Sequence, residues 1–119
     1  MKNRLMSFIL ISAIAPLFVG TARAADAAAD AGAKIYAAKC SSCHAKDGKG
    51  NPSMAKVFKL EPEAMSLVSD AAQKNTDADL IKATTDGKNK MPAYKGKLSD
   101  DDIKAVVAYV RTLAPAKAK

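Results

Sequence analysis

The side chains with the most reactive chemistry in the chain lie together in the pattern Cys-x-x-Cys-His at residues 40–44. Two thiols three residues apart point the same way on one helical turn, and an imidazole follows directly. This pattern predicts a covalent attachment site for a c-type haem. Each thiol would form a thioether with a vinyl group, and His44 would become an axial ligand of the iron.

Other uses of these residues fit the sequence less well. A disulfide between Cys40 and Cys43 would not need His44, and a thioredoxin-like redox pair would need a βαβ context that the sequence lacks. A zinc site requires four ligands, whereas the chain has two cysteines and one histidine. Haem attachment is therefore the favoured prediction, with the disulfide as its main alternative.

The single histidine excludes bis-histidine ligation within this chain, which leaves Met, Lys, water or nothing as the sixth ligand. Met65 lies on a plausible helical face and is expected in the core. Met54 follows His44 so closely that it would compete for the same side of the ring. Met91 lies 47 residues beyond His44 in a loop that contains proline, and this spacing favours it.

The N-terminus has the pattern of a secretory signal peptide over residues 1–24. Lys2 and Arg4 precede an apolar run at residues 5–20, and Ala-Arg-Ala at residues 22–24 supplies the small-x-small cleavage pattern. An uncleaved anchor is the alternative. Cleavage would leave residues 25–119 as a single domain exported to the periplasm, with no stable membrane insertion.

The charge of the exported part is modest. Three of the 19 basic residues leave with the signal peptide and all 12 acidic residues stay, which gives a net charge of +4. This is too little for nucleic-acid binding, which requires a dense basic surface. Docking to an acidic patch on a redox partner is compatible with it, and we expect a monomer.

The periodicity predicts an all-α domain, since no segment alternates with period two. A first helix is expected to lead to the haem site, and residues 53–60 are expected to form a short turn or loop that carries Met54 and Phe58 inward. Short helices are predicted over residues 63–74 and 77–86, the second ending at Gly87. The clearest helix is the last, which starts after the N-cap Ser99 and carries one apolar stripe: Ile103, Val106, Val107, Val110 and Leu113.

Several motifs in this order resemble the class I monohaem c-type cytochromes, specifically the small bacterial and photosynthetic members. The motifs are Gly32 and Tyr36 before residues 40–44, then residues 48–52, 87–94, 98–103 and 108–110. The resemblance implies the cytochrome c fold, with short helices around one covalently bound haem and with the terminal helices crossing. Gly32 and Tyr36 would then meet Val106 and Tyr109. Residues 54–76 match no family pattern, so haem-wall roles for Phe58, Met65 and Leu67 stay open.

The resemblance also implies a ligand set. Met91, which precedes a proline, would be the distal sulfur ligand, and the carbonyl of Pro52 would accept a hydrogen bond from the second ring nitrogen of His44. An iron saturated by His44 and Met91 has no open position, so we expect a soluble periplasmic one-electron carrier and not an enzyme. Four lysines near Met91 would steer acidic partners or form an ordinary solvated loop: Lys88, Lys90, Lys95 and Lys97.

Two other functions stay open. In a ligand-binding or peroxidase-like protein, Met91 would dissociate and a distal acid-base group would be needed. The exported part has no second histidine, and its one arginine, Arg111, lies in the last helix. A dedicated cytochrome subunit of a redox enzyme complex is not distinguished from a free carrier by the sequence.

Overall fold

The structure, a computed structural model, describes residues 22–115, with side chains from residue 26 onward. The regular elements in this range are helical: α1 (Ala22–Ile35), a π-helical turn (Tyr36–Cys40), α2 (Ser41–His44), α3 (Pro52–Phe58), a 3₁₀ turn (Pro62–Met65), α4 (Asp70–Gln73), α5 (Asp77–Asp86) and α6 (Asp100–Leu113). No strand occurs among residues 22–115, where two isolated bridges join Lys88 to Met91 and Lys95 to Leu98. The all-α prediction is confirmed. The predicted signal peptide lies outside the described residues except for its last three positions, which belong to α1.

The crossing of α1 and α6 forms the centre of the fold. A Cβ atom added to Gly32 would lie 2.2 Å from the carbonyl oxygen of Ala105 and 2.9 Å from Cβ of Tyr109, so only glycine permits this approach. One turn later Tyr36 is 2% exposed and packs against Val106, with its ring centroid 5.3 Å from that of Tyr109. The crossing predicted from Gly32 and Tyr36 is therefore confirmed.

The predicted last helix is also confirmed. The Ser99 side chain accepts a hydrogen bond from the amide of Asp102, and the Asp102 carboxylate accepts one from the amide of Ser99. This capping box satisfies N–H groups that would otherwise be unpaired at the first turn. The inward face then buries four side chains of the apolar stripe: Ile103, Val106, Val107 and Val110.

Residues 53–60 differ from their prediction, because most of them form α3 instead of a turn or loop. The Asn51 side chain accepts hydrogen bonds from the amides of Ser53 and Met54, and Pro52 occupies the first helical position. Both features favour a helix start. The helix ends at Phe58, and the next residue, Lys59, has a left-handed φ of 55°.

The continuous helix predicted over residues 63–74 is also wrong. The 3₁₀ turn ends at Met65, and the Ser66 hydroxyl then accepts hydrogen bonds from the amides of Val68 and Ser69. A serine that bonds the backbone in this way competes with helical hydrogen bonding. The chain therefore bends before Ser69 caps α4. The prediction that Met65 belongs to the core is confirmed, since it is 7% exposed.

Candidate haem site

The predicted attachment residues and the predicted sulfur ligand line one cavity of about 810 Å³. Cys40, Cys43 and His44 form part of its wall, and Met91 lies in another part. The size is that of a pocket for a large cofactor, and most of its wall is apolar. Two thiols, an imidazole and a thioether around such a cavity fit a covalently attached haem. Pro52 is not among the lining residues.

A π-helical turn places the first cysteine. The amide of Ser41 bonds the carbonyl of Tyr36, so this turn is one residue wider than an α-helical turn. The Tyr36 hydroxyl donates to the carbonyl of Ala45 at 2.6 Å, and burial raises the pKa of this tyrosine. Tyr36 thus links the α1–α6 core to the loop directly after His44. Sequence periodicity did not predict the π turn, which is a feature often found at functional sites.

The ring of His44 is oriented by a backbone carbonyl from the 3₁₀ turn. Its Nδ1 atom lies 2.7 Å from the carbonyl oxygen of Met65. Because a carbonyl only accepts, Nδ1 must carry the proton, and the lone pair of Nε2 is then free to bind a metal. The prediction that the Pro52 carbonyl accepts this hydrogen bond is wrong. Pro52 starts α3, and the turn at residues 62–65 lies against His44 instead.

Gly50 makes that approach possible. Its φ is 93°, and a Cβ atom added to it would lie 2.5 Å from the carbonyl oxygen of Pro62. Its amide also donates to the carbonyl of His44 at 2.9 Å, which folds the loop back beneath the attachment segment. The glycine therefore brings together the two segments that hold the imidazole.

Both cysteines are half-buried, and no disulfide joins them. Burial, assisted by the neighbouring Cys43, raises the pKa of the Cys40 thiol to about 11. Before haem attachment, Cys40 is therefore a protonated thiol at neutral pH, and thioether formation would add its S–H bond across a haem vinyl group, with the sulfur bonded to one vinyl carbon and the hydrogen to the other.

The loop that carries Met91 is braced from two sides. The amide of Met91 donates to the carbonyl of Lys88 at 2.9 Å, and the amide of Tyr94 donates to the carbonyl of Thr84 in α5 at 3.0 Å. The Tyr94 hydroxyl donates to the carbonyl of Lys39 at 3.0 Å, within the π turn that precedes Cys40. These bonds fix Met91 relative to the attachment segment. Its ligation of iron stays a prediction.

The cavity wall includes the three residues whose haem-wall roles the sequence left open. Phe58, Met65 and Leu67 all contribute to it. Sequence analysis missed the contributions of Leu60, Ala72 and Ala83. No helix among residues 22–115 is long and apolar enough to cross a bilayer.

Known proteins match this arrangement in sequence and in structure. Residues 27–110 match the family described as cytochrome c oxidase, cbb3-type, subunit III. The chain is 42% identical over 114 residues to cytochrome c6 of Thermostichus vulcanus, a match that covers 92% of this chain and 91% of the relative. The crystal structure of cytochrome c6 from the diatom Phaeodactylum tricornutum superposes with a TM-score of 0.54 at 35% identity, covering 71% of this chain and 91% of that one.

The chain belongs to the class I monohaem c-type cytochromes.

This cytochrome is an electron carrier with one covalently attached c-type haem, for which Cys40 and Cys43 are the attachment residues. It works with redox proteins as partners. A further relative is the FixP subunit of the cbb3-type cytochrome c oxidase of a Bradyrhizobium strain, at 38% identity over 90 residues. That match covers 75% of this chain and 29% of FixP.

Proposed function

We propose that this cytochrome is a soluble periplasmic one-electron carrier and not an enzyme, with His44 and Met91 as the axial ligands of its iron. The observation that carries the proposal is the placement of His44 and Met91 on one cavity, with Nδ1 of His44 bonded to the Met65 carbonyl. That bond leaves Nε2 free to bind metal, and a thioether is a suitable second ligand.

The bound haem would supply a centre that takes up and releases one electron. The surrounding residues keep that centre closed to other chemistry. His44, which is oriented by the Met65 carbonyl, and Met91, which is held in its braced loop, would fill both axial positions of the iron. The residues lining the cavity include no arginine and no second histidine to serve as a distal acid-base group.

The predicted signal peptide supports export. Its cleavage after residue 24 would release the domain that carries the complete cavity, since the lining residues lie between residues 39 and 94. We propose that the released cytochrome is a monomer.

A second candidate role is that of a dedicated subunit in a redox enzyme complex. The match to FixP favours it, because this chain resembles one segment of a larger oxidase subunit. Gel filtration of the native extract distinguishes the two roles. A free carrier elutes at the size of the monomer, and a subunit elutes with its complex.

The experiment that tests the proposed function is a comparison of covalent haem and ligand binding in the purified wild-type protein. Acid-acetone extraction is expected to leave the colour on the polypeptide, because two thioethers resist this treatment. The ferrous protein is expected not to bind carbon monoxide readily. A colourless polypeptide with a Cys40–Cys43 disulfide would refute covalent attachment, and rapid carbon monoxide binding would refute a closed iron.

The lysines around Met91 supply a surface for acidic partners. Lys88, Lys90, Lys95 and Lys97 are all exposed, and Lys88 and Lys90 also line the cavity. Positive charge at this rim would accelerate encounters with an acidic patch, and salt would screen the effect.

Reversing one of these charges tests the steering. Lys90→Glu is expected to slow reduction by the native donor roughly tenfold at low ionic strength. At about 0.5 M salt it is expected to have little effect, because the ions screen the attraction between surface charges. Stopped-flow kinetics at several salt concentrations measure this. Lys34→Glu on the exposed side of α1 has the same change in net charge and is the matched control. Equal rates for both variants at low salt would show that net charge, and not its position, matters.

A further inference from the structure

Arg111 in the last turns of α6 binds the chain between α4 and α5. Its Nε donates to the Asp77 carboxylate at 2.8 Å, and its Nη2 donates to the carbonyl of Asn75 at 2.6 Å. Its Nη1 lies 3.5 Å from the carbonyl of Gln73 and 3.4 Å from the Gln73 side-chain oxygen. One carbonyl belongs to the last residue of α4 and the other lies two residues beyond it, where backbone acceptors lack helical partners. The arginine is only 26% exposed, and these contacts use all of its nitrogens.

Arg111 also fixes the direction of the Gln73 amide. A guanidinium group only donates, so the oxygen of that amide must face it. The Gln73 nitrogen therefore points the other way, and it donates to the carbonyl of Leu67 at 2.6 Å. The Gln73 side chain thus connects Arg111 in α6 to the segment that follows the 3₁₀ turn.

Leu67 lies two residues after Met65, the residue whose carbonyl bonds His44. The amide of Leu67 donates to the carbonyl of Gly48 at 2.7 Å, and its carbonyl accepts from Gln73. The segment 65–67 is therefore held on one side by the loop after His44 and on the other by Gln73 and Arg111. Its position determines the distance between Nδ1 of His44 and the Met65 carbonyl.

We propose that Arg111 is a positioning residue that tunes the reduction potential by holding, through Gln73, the Met65 carbonyl against His44. The proposal rests on His44 being an axial ligand. A short Nδ1–H···O=C bond makes the imidazole a stronger donor and so favours the oxidised iron. Weakening this bond raises the reduction potential.

Two variants break the hydrogen-bonded connection from Arg111 through Gln73 to Leu67, and one control variant leaves it intact. Arg111→Lys keeps the positive charge but loses the planar fork that reaches several acceptors at once. Gln73→Met keeps the length of the side chain but neither accepts from Arg111 nor donates to Leu67. Asp77→Asn removes the negative charge that pairs with Arg111, and the Asp77 side chain is 70% exposed. This change leaves Gln73 and the backbone contacts of Arg111 intact.

The measurements are the reduction potential and the hydrogen-exchange rate of the His44 Nδ1 proton, followed by NMR in the ferrous protein. Arg111→Lys and Gln73→Met are expected to raise the potential and to accelerate exchange roughly tenfold, since exchange reports local opening of a hydrogen bond. Asp77→Asn is expected to match the wild type in both. In the double variant, Arg111→Lys with Gln73→Met, the potential is expected to shift no further than in the more affected single variant, because both changes break the same connection.

Three results would overturn the proposal. Lower thermal stability of Arg111→Lys with unchanged potential and exchange would make the arginine purely structural. A shift in Asp77→Asn as large as that in Arg111→Lys would assign the effect to charge. Additive shifts of the potential in the double variant would show that Arg111 and Gln73 act independently. Failure of His44 ligation itself is distinguishable, because the wild-type spectrum would then contain no histidine ring resonances shifted by the haem.

Discussion

Replacing Met91 with alanine is expected to lower the reduction potential by roughly 0.1 V or more, a fraction of the range of about 0.8 V over which axial ligands set haem potentials. A thioether favours ferrous iron, and its loss removes that preference. The variant is also expected to lose the weak sulfur-to-iron band of the ferric spectrum and to bind carbon monoxide in the ferrous form. Potentiometry and absorption spectroscopy measure these changes.

Met54→Ala is the matched control, because Met54 is half-buried in α3 and does not line the cavity. It is expected to retain the ferric band and the wild-type potential. If the band persists in Met91→Ala and disappears in Met54→Ala, the sulfur ligand has been assigned to the wrong methionine. If the band persists in both, neither sulfur ligates the iron.

Gly32→Ala is expected to lower the free energy of unfolding by roughly 3 kcal/mol, the upper part of the usual range for overpacking. The added methyl group would lie 2.2 Å from the Ala105 carbonyl oxygen, which is backbone and has no rotamer to change. Alanine is intrinsically better than glycine within a helix by about 1 kcal/mol, so helix propensity alone predicts the opposite sign. Guanidinium unfolding of the holoprotein measures the difference.

Gly96→Ala supplies the comparison for this change. It adds the same methyl group where no atom lies within 4 Å, although its φ of 79° is unfavourable for alanine. Gly96→Ala is therefore expected to lower the free energy of unfolding by about 1 kcal/mol, from backbone strain alone. A Gly32→Ala variant that is as stable as wild type would show that α1 and α6 separate easily.

Elements with local determinants could be predicted from the sequence. Ser99 with Asp102 marks the start of α6, and Thr76 with Asp79 marks the start of α5 in the same way, with Gly87 at its end. In each case the cap and the apolar period lie within a few residues of one another. Such patterns are visible without knowledge of the fold.

Features that depend on distant segments could not be predicted in this way. The partner of His44 is a backbone carbonyl 21 residues away, and any residue type can supply a carbonyl, so the sequence contains no mark of Met65 in this role. The resemblance suggested Pro52, but Asn51 caps a helix there and commits Pro52 to α3. The π turn was missed because its wider hydrogen bonding has no composition of its own.

The crossing of α1 and α6 joins the two ends of the described chain, and these helices pack together more extensively than any other pair among residues 22–115. Closing so long a loop is entropically costly and slow compared with forming a local turn. The core around Tyr36 therefore stays incomplete until α6 packs against α1. Cys40 packs against this core, so its thiol stays more accessible to the attachment reaction until α1 and α6 meet.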